Sequence, residues 1–217
     1  MNQDPRAVIA AAPMRSLQVA IVALCFALNA LDGFDVLAIS FAAPGIADEW
    51  GVDKATLGIV LSMELLGMAA GSVLIGNVAD RVGRRPTILS CLIVMALGMY
   101  AAMHATGVTS LSAIRFLTGI GIGGMLSSTS AMVAEFSNDK RRGLNVALNI
   151  AGYSTGAILG GLLVSKLLAE TGDWRSVFTL GAVASAAMIP LAFFFLPESI
   201  ESLIARRPAG GLERVNR

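Results

Sequence analysis

The chain has 217 residues, 55% of them hydrophobic and 14% charged, and its mean hydropathy is +0.73, which is typical of an integral membrane protein. Sixteen Lys and Arg against fifteen Asp and Glu give a net charge of +1, so the charge balance does not favour a nucleic-acid partner. With one histidine, no G-x-S-x-G motif and two cysteines that lie inside apolar runs, the sequence predicts no metal site, no cofactor and no enzyme activity.

Six apolar runs are long enough to span a bilayer, which requires about 20 mainly apolar residues. They cover residues 17–42, 57–79, 86–104, 110–134, 143–168 and 177–196. We therefore predict an all-α domain of six transmembrane helices over residues 17–196, with the lipid bilayer as its surroundings. A cytoplasmic N-terminal segment (1–16) precedes it, and a cytoplasmic tail or the truncated start of a central loop (197–217) follows.

Lys and Arg residues lie mainly on one side of these six predicted helices. The two terminal segments and the connectors after helices 2 and 4 hold twelve of them, whereas the other connectors hold three. Because cytoplasmic connectors carry the excess of Lys and Arg, we expect a multi-pass protein of the inner membrane with both termini in the cytoplasm. The twelve are Arg6, Arg15, Arg81, Arg84, Arg85, Lys140, Arg141, Arg142, Arg206, Arg207, Arg214 and Arg217; the three are Lys54, Lys166 and Arg175.

Glycines recur at intervals of four residues in predicted helices 2, 4 and 5. This spacing lets two helix backbones approach closely, so we expect these glycines to serve helix packing rather than ligand binding. They are Gly67 and Gly71, Gly119 and Gly123, and Gly152, Gly156 and Gly160. Six helices also suit two three-helix units of opposite topology, a 3+3 inverted repeat. No sequence identity between the two units reveals such a repeat.

Four ionisable residues lie inside the predicted spans: Asp32 and Asp35 in helix 1, Glu64 in helix 2 and Arg115 in helix 4. Ionisable groups cost several kcal/mol in a bilayer, so each is a candidate for function. At about 1.5 Å per residue, all four lie roughly 7 to 15 Å from the outer boundary, and therefore at one level. One guanidinium cannot neutralise three carboxylates, so we expect at least one carboxylate to carry a proton.

Each of these residues also has a second interpretation. Asp32 could cap a break in helix 1, Glu64 could face a wet outer vestibule, and Arg115 could either bind an anionic substrate or neutralise a carboxylate. Asn29 and Tyr153 could line a polar cavity, or they could form hydrogen bonds between helices.

A charged, glycine-containing loop joins predicted helices 2 and 3, with the spacing G-x-x-x-D-R-x-G-R-R from Gly76 to Arg85. It resembles the signature loop of the major facilitator superfamily of secondary transporters. Four further stretches resemble the same family and together cover almost all of the chain. They are Arg115-x-x-x-Gly119-x-Gly121-x-Gly123, Glu135 with Arg142-Gly143, Trp174-Arg175-x-x-Phe178, and Leu196-Pro197-Glu198-Ser199.

This resemblance implies the N-terminal six-helix half of a major facilitator fold and a gating role for the charged loop. The gating residues would be Gly76, Asp80, Arg81, Gly83, Arg84 and Arg85, together with Glu135 and Arg142. Arg84 is expected to pair with Glu135, and Asp80 is expected to contact a second six-helix half.

The stretch Leu31-Asp32-Gly33-Phe34-Asp35 carries a D-G-x-D motif that resembles the aromatic acid:proton symporter family. The resemblance implies a proton symporter that imports benzoate-like and hydroxybenzoate-like carboxylates. Asp32 and Asp35 would serve proton coupling and substrate transport, and Arg115 would be required for transport. The implied partners are protons, an aromatic acid and a second six-helix half.

Other functions remain open from the sequence. The chain could belong to a carrier for another small solute (a sugar, a metabolic carboxylate or a drug), or it could be a six-helix partner subunit without transport activity. A drug:proton antiporter is disfavoured because Ala157 follows Gly156 where the antiporter motif has proline. The family has twelve helices, so the chain is expected to be a fragment, a truncated product or a half that needs a partner.

Overall fold

The computed structural model describes residues 12–199 and residue 202. Most of the two predicted terminal segments, 1–16 and 197–217, lies outside the described residues. The same holds for five of the basic residues that supported the predicted orientation, namely Arg6, Arg206, Arg207, Arg214 and Arg217.

Six helices account for nearly all of the described chain, and each is long and apolar enough to cross a membrane. They are α1 (Ser16–Trp50), α2 (Lys54–Val82), α3 (Arg84–Ala102), α4 (Val108–Glu135), α5 (Arg142–Thr171) and α6 (Arg175–Phe195). The prediction of six spanning helices is therefore confirmed for the part of the chain that the structure describes. Pro86 lies in the first turn of α3, where its missing N–H removes no helical hydrogen bond.

The largest difference from the prediction is in α1, which continues past residue 42 to Trp50 and includes Pro44. Burial of Ala42 and Ile46 in the core holds this extra length of helix in place. The two aspartates therefore lie farther from the end of α1 than the predicted span implied. Asp35 lies fifteen residues before Trp50, near the middle of α1, and not close to an end.

The helices alternate in direction, so that α1, α3 and α5 begin where α2, α4 and α6 end. We call this the terminal end of the bundle and the opposite one the distal end. At the terminal end, Gln18 of α1 donates a hydrogen bond to the carbonyl of Phe136, directly after α4 (3.0 Å). At the distal end, Glu49 of α1 accepts hydrogen bonds from Nε1 of Trp174 (2.8 Å) and from both terminal nitrogens of Arg175 at the start of α6 (2.7 and 2.6 Å).

Helix α2 begins at the distal end with a side-chain cap. A carboxylate oxygen of Asp53 accepts hydrogen bonds from the hydroxyl and the backbone N–H of Thr56, at 2.5 and 2.9 Å. These two hydrogen bonds lower the pKa of Asp53 below its ordinary value. The cap therefore favours the charged form of Asp53 at the first turn of α2.

The glycines of α2 and α4 serve close helix packing, as predicted, and the structure shows that they form the contact between these two helices. A Cβ atom at Gly71 would collide with the backbone of Ile120, and one at Gly123 would collide with the backbone of Met68. The close approach is therefore reciprocal, because each helix presents glycines to the backbone of the other. It places Glu64 of α2 opposite the first half of α4.

Helix α5 packs against α1 in the same manner, with Gly156 against the carbonyl of Ala30 and Gly160 against the ring of Phe34. Thus α1 packs on α5 as α4 packs on α2, and α3 packs on α6. Exchanging α1 with α4, α2 with α5 and α3 with α6 preserves these contacts. This is the contact pattern that a 3+3 inverted repeat predicts.

Candidate functional site

Three polar residues of α1 lie at intervals of three and face the interior of the bundle: Asn29, Asp32 and Asp35. Residues three apart on an α-helix share a face, and all three side chains are fully buried. Helix α1 runs without interruption through this region, so the alternative in which Asp32 caps a helix break is wrong. The spacing of the D-G-x-D motif is therefore what directs both carboxylates inward.

Arg115 of α4 forms a buried two-pronged ion pair with Glu64 of α2. Its Nε donates to Oε2 of Glu64 at 3.1 Å, and its Nη2 donates to Oε1 in a second, short hydrogen bond. Nη2 also donates to the backbone carbonyl of Asp35 (2.6 Å), and Nη1 contacts the sulfur of Met99 at 3.5 Å. The guanidinium carbon lies 5.9 Å from the centre of the Phe178 ring.

This arrangement bears on the two interpretations of Arg115 that the sequence left open, because it shows the arginine paired with a carboxylate. Arg115 neutralises a carboxylate, and that carboxylate is Glu64. Glu64 is only 1% exposed, so the expectation that it faces a wet vestibule is wrong for this structure. The close approach of α2 and α4 at Gly119 brings the two side chains together, because Gly119 lies against the Glu64 carbonyl.

The carboxylates of Asp32 and Asp35 are buried like that of Glu64, but no arginine in the described part of the chain binds them. None of their four oxygen atoms has a hydrogen-bond partner among the described residues. An ionised, unpaired carboxylate in the middle of a bilayer costs about 2.5–3.5 kcal/mol on insertion scales. Within the part of the chain that the structure describes, both carboxyl groups are therefore buried without a hydrogen-bond donor that would stabilise their ionised form.

Asn29 joins three helices towards the terminal end of the bundle. Its Nδ2 donates to the backbone carbonyl of Asn149 on α5 (2.8 Å), and its Oδ1 accepts from the hydroxyl of Thr129 on α4 (3.4 Å). It is therefore an interhelical hydrogen-bonding group. Tyr153 is half-buried on α5 with its backbone carbonyl against Gly33, and it packs on the core beside this network.

A second polar cluster lies at the terminal end, around the loop between α2 and α3. Arg84 donates to Glu135 at the end of α4 (3.1 Å) and to Asp80 at the end of α2 (3.0 Å). The expected contact between Arg84 and Glu135 is therefore present. Arg85 donates a hydrogen bond to the backbone carbonyl of Phe193 at 2.5 Å, and its guanidinium carbon lies 5.2 Å from the centre of the Phe193 ring. The loop therefore also contacts α6.

Sequence reasoning gave no role to Glu198 and Ser199, which complete this terminal cluster. An oxygen of Glu198 accepts hydrogen bonds from the backbone N–H groups of Arg84 (3.0 Å) and Arg85 (3.3 Å), at the first turn of α3. The hydroxyl of Ser199 donates to Glu135 at 2.6 Å. A carboxylate is favourable at a helix N-terminus, where N–H groups lack helical partners. The motif Leu196-Pro197-Glu198-Ser199 was the available signal.

Gly83, directly before α3, lets the Glu198 carboxylate approach the backbone because it has no side chain and adopts a positive φ. Its φ is +106°, a region that L side chains rarely adopt, and a Cβ atom there would approach the Glu198 oxygens at 2.8 and 2.9 Å. The other predicted gating residues lie nearby. Gly76 faces Ser127 of α4, and Arg81 lies in the last turn of α2. Arg142 is exposed at the start of α5.

A comparison with protein families identifies the family of this six-helix bundle. The profile of the Major Facilitator Superfamily matches residues 24–215. The chain belongs to this superfamily, and it is a multi-pass membrane protein with the superfamily's helical fold. The predicted resemblance of the charged loop is thereby confirmed.

The relatives are transporters of aromatic acids. The chain is 35% identical over 212 residues to the 4-hydroxybenzoate transporter PcaK of Pseudomonas aeruginosa, covering 98% of this chain and 47% of that protein. It is 37% identical to PcaK of Acinetobacter baylyi (94% and 44%) and 34% identical to the gallate transporter of Pseudomonas putida (90% and 43%). The chain thus spans a little under half the length of the curated relatives it matches.

Solved structures show the same fold. The inward-open xylose transporter XylE from Escherichia coli matches with a TM-score of 0.77 at 19% identity, over 91% of this chain and 52% of that one. A partially occluded, inward-open form of XylE matches with a TM-score of 0.79 at 20% identity, over 93% and 52%. The relatives and these structural neighbours are transporters and not enzymes, as the sequence predicts.

Proposed function

We propose that this chain is the N-terminal half of a proton symporter that imports aromatic carboxylates of the benzoate and hydroxybenzoate type. The observation that carries the proposal is the pair of buried, unpaired carboxylates of Asp32 and Asp35 on α1. The relatives named for 4-hydroxybenzoate and gallate support the substrate class.

Proton coupling follows from the chemistry of the two aspartates. When the site opens to the outside, Asp35 together with Asp32 takes up protons, which makes burial of the carboxyl groups favourable. The aromatic anion then binds near the middle of the bilayer, close to Asp35 and to the ion pair of Arg115 with Glu64. Opening towards the cytoplasm hydrates the aspartates, and the protons and the substrate leave together.

The terminal cluster would set the balance between the two open states. Its links join the loop after α2 to the end of α4 and to the segment after α6. Asp80 has an exposed side chain (64%) although Arg84 contacts it, so it is available to a second six-helix half. We place this end in the cytoplasm, with both termini, and the protein in the inner membrane.

Uptake of labelled 4-hydroxybenzoate by vesicles containing the transporter of which this chain is a part tests the proposal. We expect accumulation driven by an inward proton gradient and its loss on addition of a protonophore. Asp35→Asn should reduce gradient-driven uptake by at least about tenfold, because the amide cannot exchange a proton.

The matched control is Asp48→Asn, an exposed aspartate on the same helix, which should leave uptake unchanged. Gradient-driven uptake at the full rate by Asp35→Asn would remove Asp35 as a proton site. Transport of xylose but not of any aromatic acid would refute the proposed substrate class.

A further inference from the structure

A cavity of about 430 Å³ lies at the distal end of the bundle, and the proposed transport mechanism does not use it. The end of α1, the turn after α3 and the start of α6 enclose it, and its lining includes Glu49, Trp50, His104, Thr106 and Arg175. Sites for small ligands have volumes of about 300–1,000 Å³. We propose that this cavity binds the headgroup of a zwitterionic phospholipid with a primary ammonium group, phosphatidylethanolamine.

The charges beside the cavity favour a ligand with a cationic group. The guanidinium of Arg175 binds Glu49 through both terminal nitrogens (2.7 and 2.6 Å), and it lies 3.8 Å from a carboxylate oxygen of Asp173. The guanidinium thus has two carboxylates around it, and both keep exposed surface, 43% for Glu49 and 52% for Asp173. An aromatic carboxylate would be repelled by this surplus of negative charge, whereas an ammonium group offsets it.

Aromatic side chains place the cavity at the surface of the membrane. The ring centre of Trp50, in the cavity wall, lies 5.6 Å from that of Trp174, and the ring centre of His104 lies 5.0 Å from that of Tyr100. Trp and Tyr are enriched at the boundary between membrane and water, so the cavity lies at the level of the lipid headgroups. The face of a Trp ring also attracts an ammonium group.

Helix α3 presents an apolar face that leads to this cavity. Ile93, Leu97 and Tyr100 are 45%, 62% and 57% exposed, and their spacing of four and three residues puts them on one face of the helix. Four residues further along lies His104, which lines the cavity. The acyl chains of a lipid whose headgroup fills the cavity can therefore lie along α3. This contact assigns the site to a lipid and not to a free solute with the same charges.

The two charges of the headgroup match the ion pair in the cavity wall. The ammonium group donates to the exposed carboxylate of Glu49 beside Trp50. The phosphate accepts from Arg175, whose five N–H groups exceed the two that Glu49 uses. Phosphatidylglycerol has the same phosphate and no ammonium group, so it lacks the contact with Glu49. The bound lipid would join the end of α1 to α3 and α6, whatever the chain transports.

Native mass spectrometry of the 217-residue chain in detergent tests this assignment. The chain is titrated with phosphatidylethanolamine or phosphatidylglycerol of identical acyl chains, and the dissociation constant of the first bound lipid is measured. We expect phosphatidylethanolamine to bind about tenfold more tightly, because it adds one hydrogen bond between charged groups. Glu49→Gln should remove this preference, and Glu49→Asp, which keeps the charge, should retain it.

The matched control is Glu170→Gln, the same chemical change at an exposed site near the distal end of α5, which should keep the preference. Equal binding of the two lipids by the wild-type chain would overturn the proposal, as would an unchanged preference in Glu49→Gln. Displacement of the lipid by millimolar soluble phosphoethanolamine would refute the contribution of the acyl chains and with it the assignment to a lipid.

A second variant keeps the test decisive if Glu49→Gln loses its helical circular dichroism. Thr106→Phe adds a ring at an exposed position of the cavity wall and leaves the ion pair of Glu49 with Arg175 in place. It should abolish the preference for phosphatidylethanolamine, because the ring fills the space that the headgroup needs. An unchanged preference in Thr106→Phe would show that the lipid binds elsewhere.

Discussion

Glu198 illustrates how a single residue acquires a role from tertiary contacts. It follows α6 in the chain, yet its carboxylate accepts hydrogen bonds from the backbone N–H groups of Arg84 and Arg85, more than one hundred residues earlier. Gly83 lets the two segments meet because it has no Cβ atom and adopts a positive φ. The carboxylate therefore satisfies N–H groups at the first turn of α3 that no helical carbonyl can reach.

We expect Glu198→Ala to lower the free energy of unfolding by about 1–2 kcal/mol, because the N–H groups at the start of α3 lose a charged acceptor. Glu198→Gln keeps an oxygen acceptor and should cost less. Thermal unfolding of the 217-residue chain in detergent, followed by circular dichroism, measures both effects. Glu170→Ala at an exposed site is the control, and an equal loss in that variant would contradict the role of Glu198.

At the scale of helices, the contact between α2 and α4 is what brings Glu64 to Arg115. Gly67 and Gly71 on one helix and Gly119 and Gly123 on the other permit the backbones to touch. In a bilayer no hydrophobic effect drives helices together, so close packing of small residues has to supply the association. The glycine spacing correctly predicted close helix packing, but it did not indicate which helices pair.

Two alanine substitutions in α2 should therefore differ in their effect on stability. Gly71→Ala places a methyl group against the backbone of Ile120, and we expect it to destabilise the chain by about 1–3 kcal/mol. Gly58→Ala meets no atom within 4 Å and should be neutral or slightly stabilising, since alanine favours the helix. Thermal unfolding in the same detergent compares them, and similar melting temperatures would argue against the close contact.

At the scale of the whole molecule, the six helices form a bundle with a distinct cluster at each end. The terminal end carries the charged loop, the start of α5 and the segment after α6, whereas Glu49, Trp174 and Arg175 close the distal end. Exposed apolar side chains on α2 and α5, such as Leu66 and Leu159, contact lipid or a second six-helix half in the proposed protein.

The proposed orientation can be tested by labelling with a membrane-impermeant maleimide. Thr106→Cys lies between α3 and α4, and Lys140→Cys lies between α4 and α5; both positions are exposed. In intact cells we expect only the first to react, with the second reacting after the membrane is permeabilised. The unmodified chain is the control, because its Cys25 and Cys91 are buried. The reverse pattern would invert the proposed topology.

The sequence by itself determined the number of spanning helices and the superfamily, and it identified the candidate site residues. Long apolar runs, a charged loop of fixed spacing and carboxylates inside a membrane span are local features, and the cost of burying charge makes them informative. Only the tertiary structure decided how these parts combine. In the structure, α1 continues to Trp50 and Arg115 forms an ion pair with Glu64. Asp32 and Asp35 have no hydrogen-bond partner among the described residues. Glu198 accepts hydrogen bonds at the start of α3. Pairing between distant helices depends on three-dimensional packing, which residue spacing along one helix does not specify.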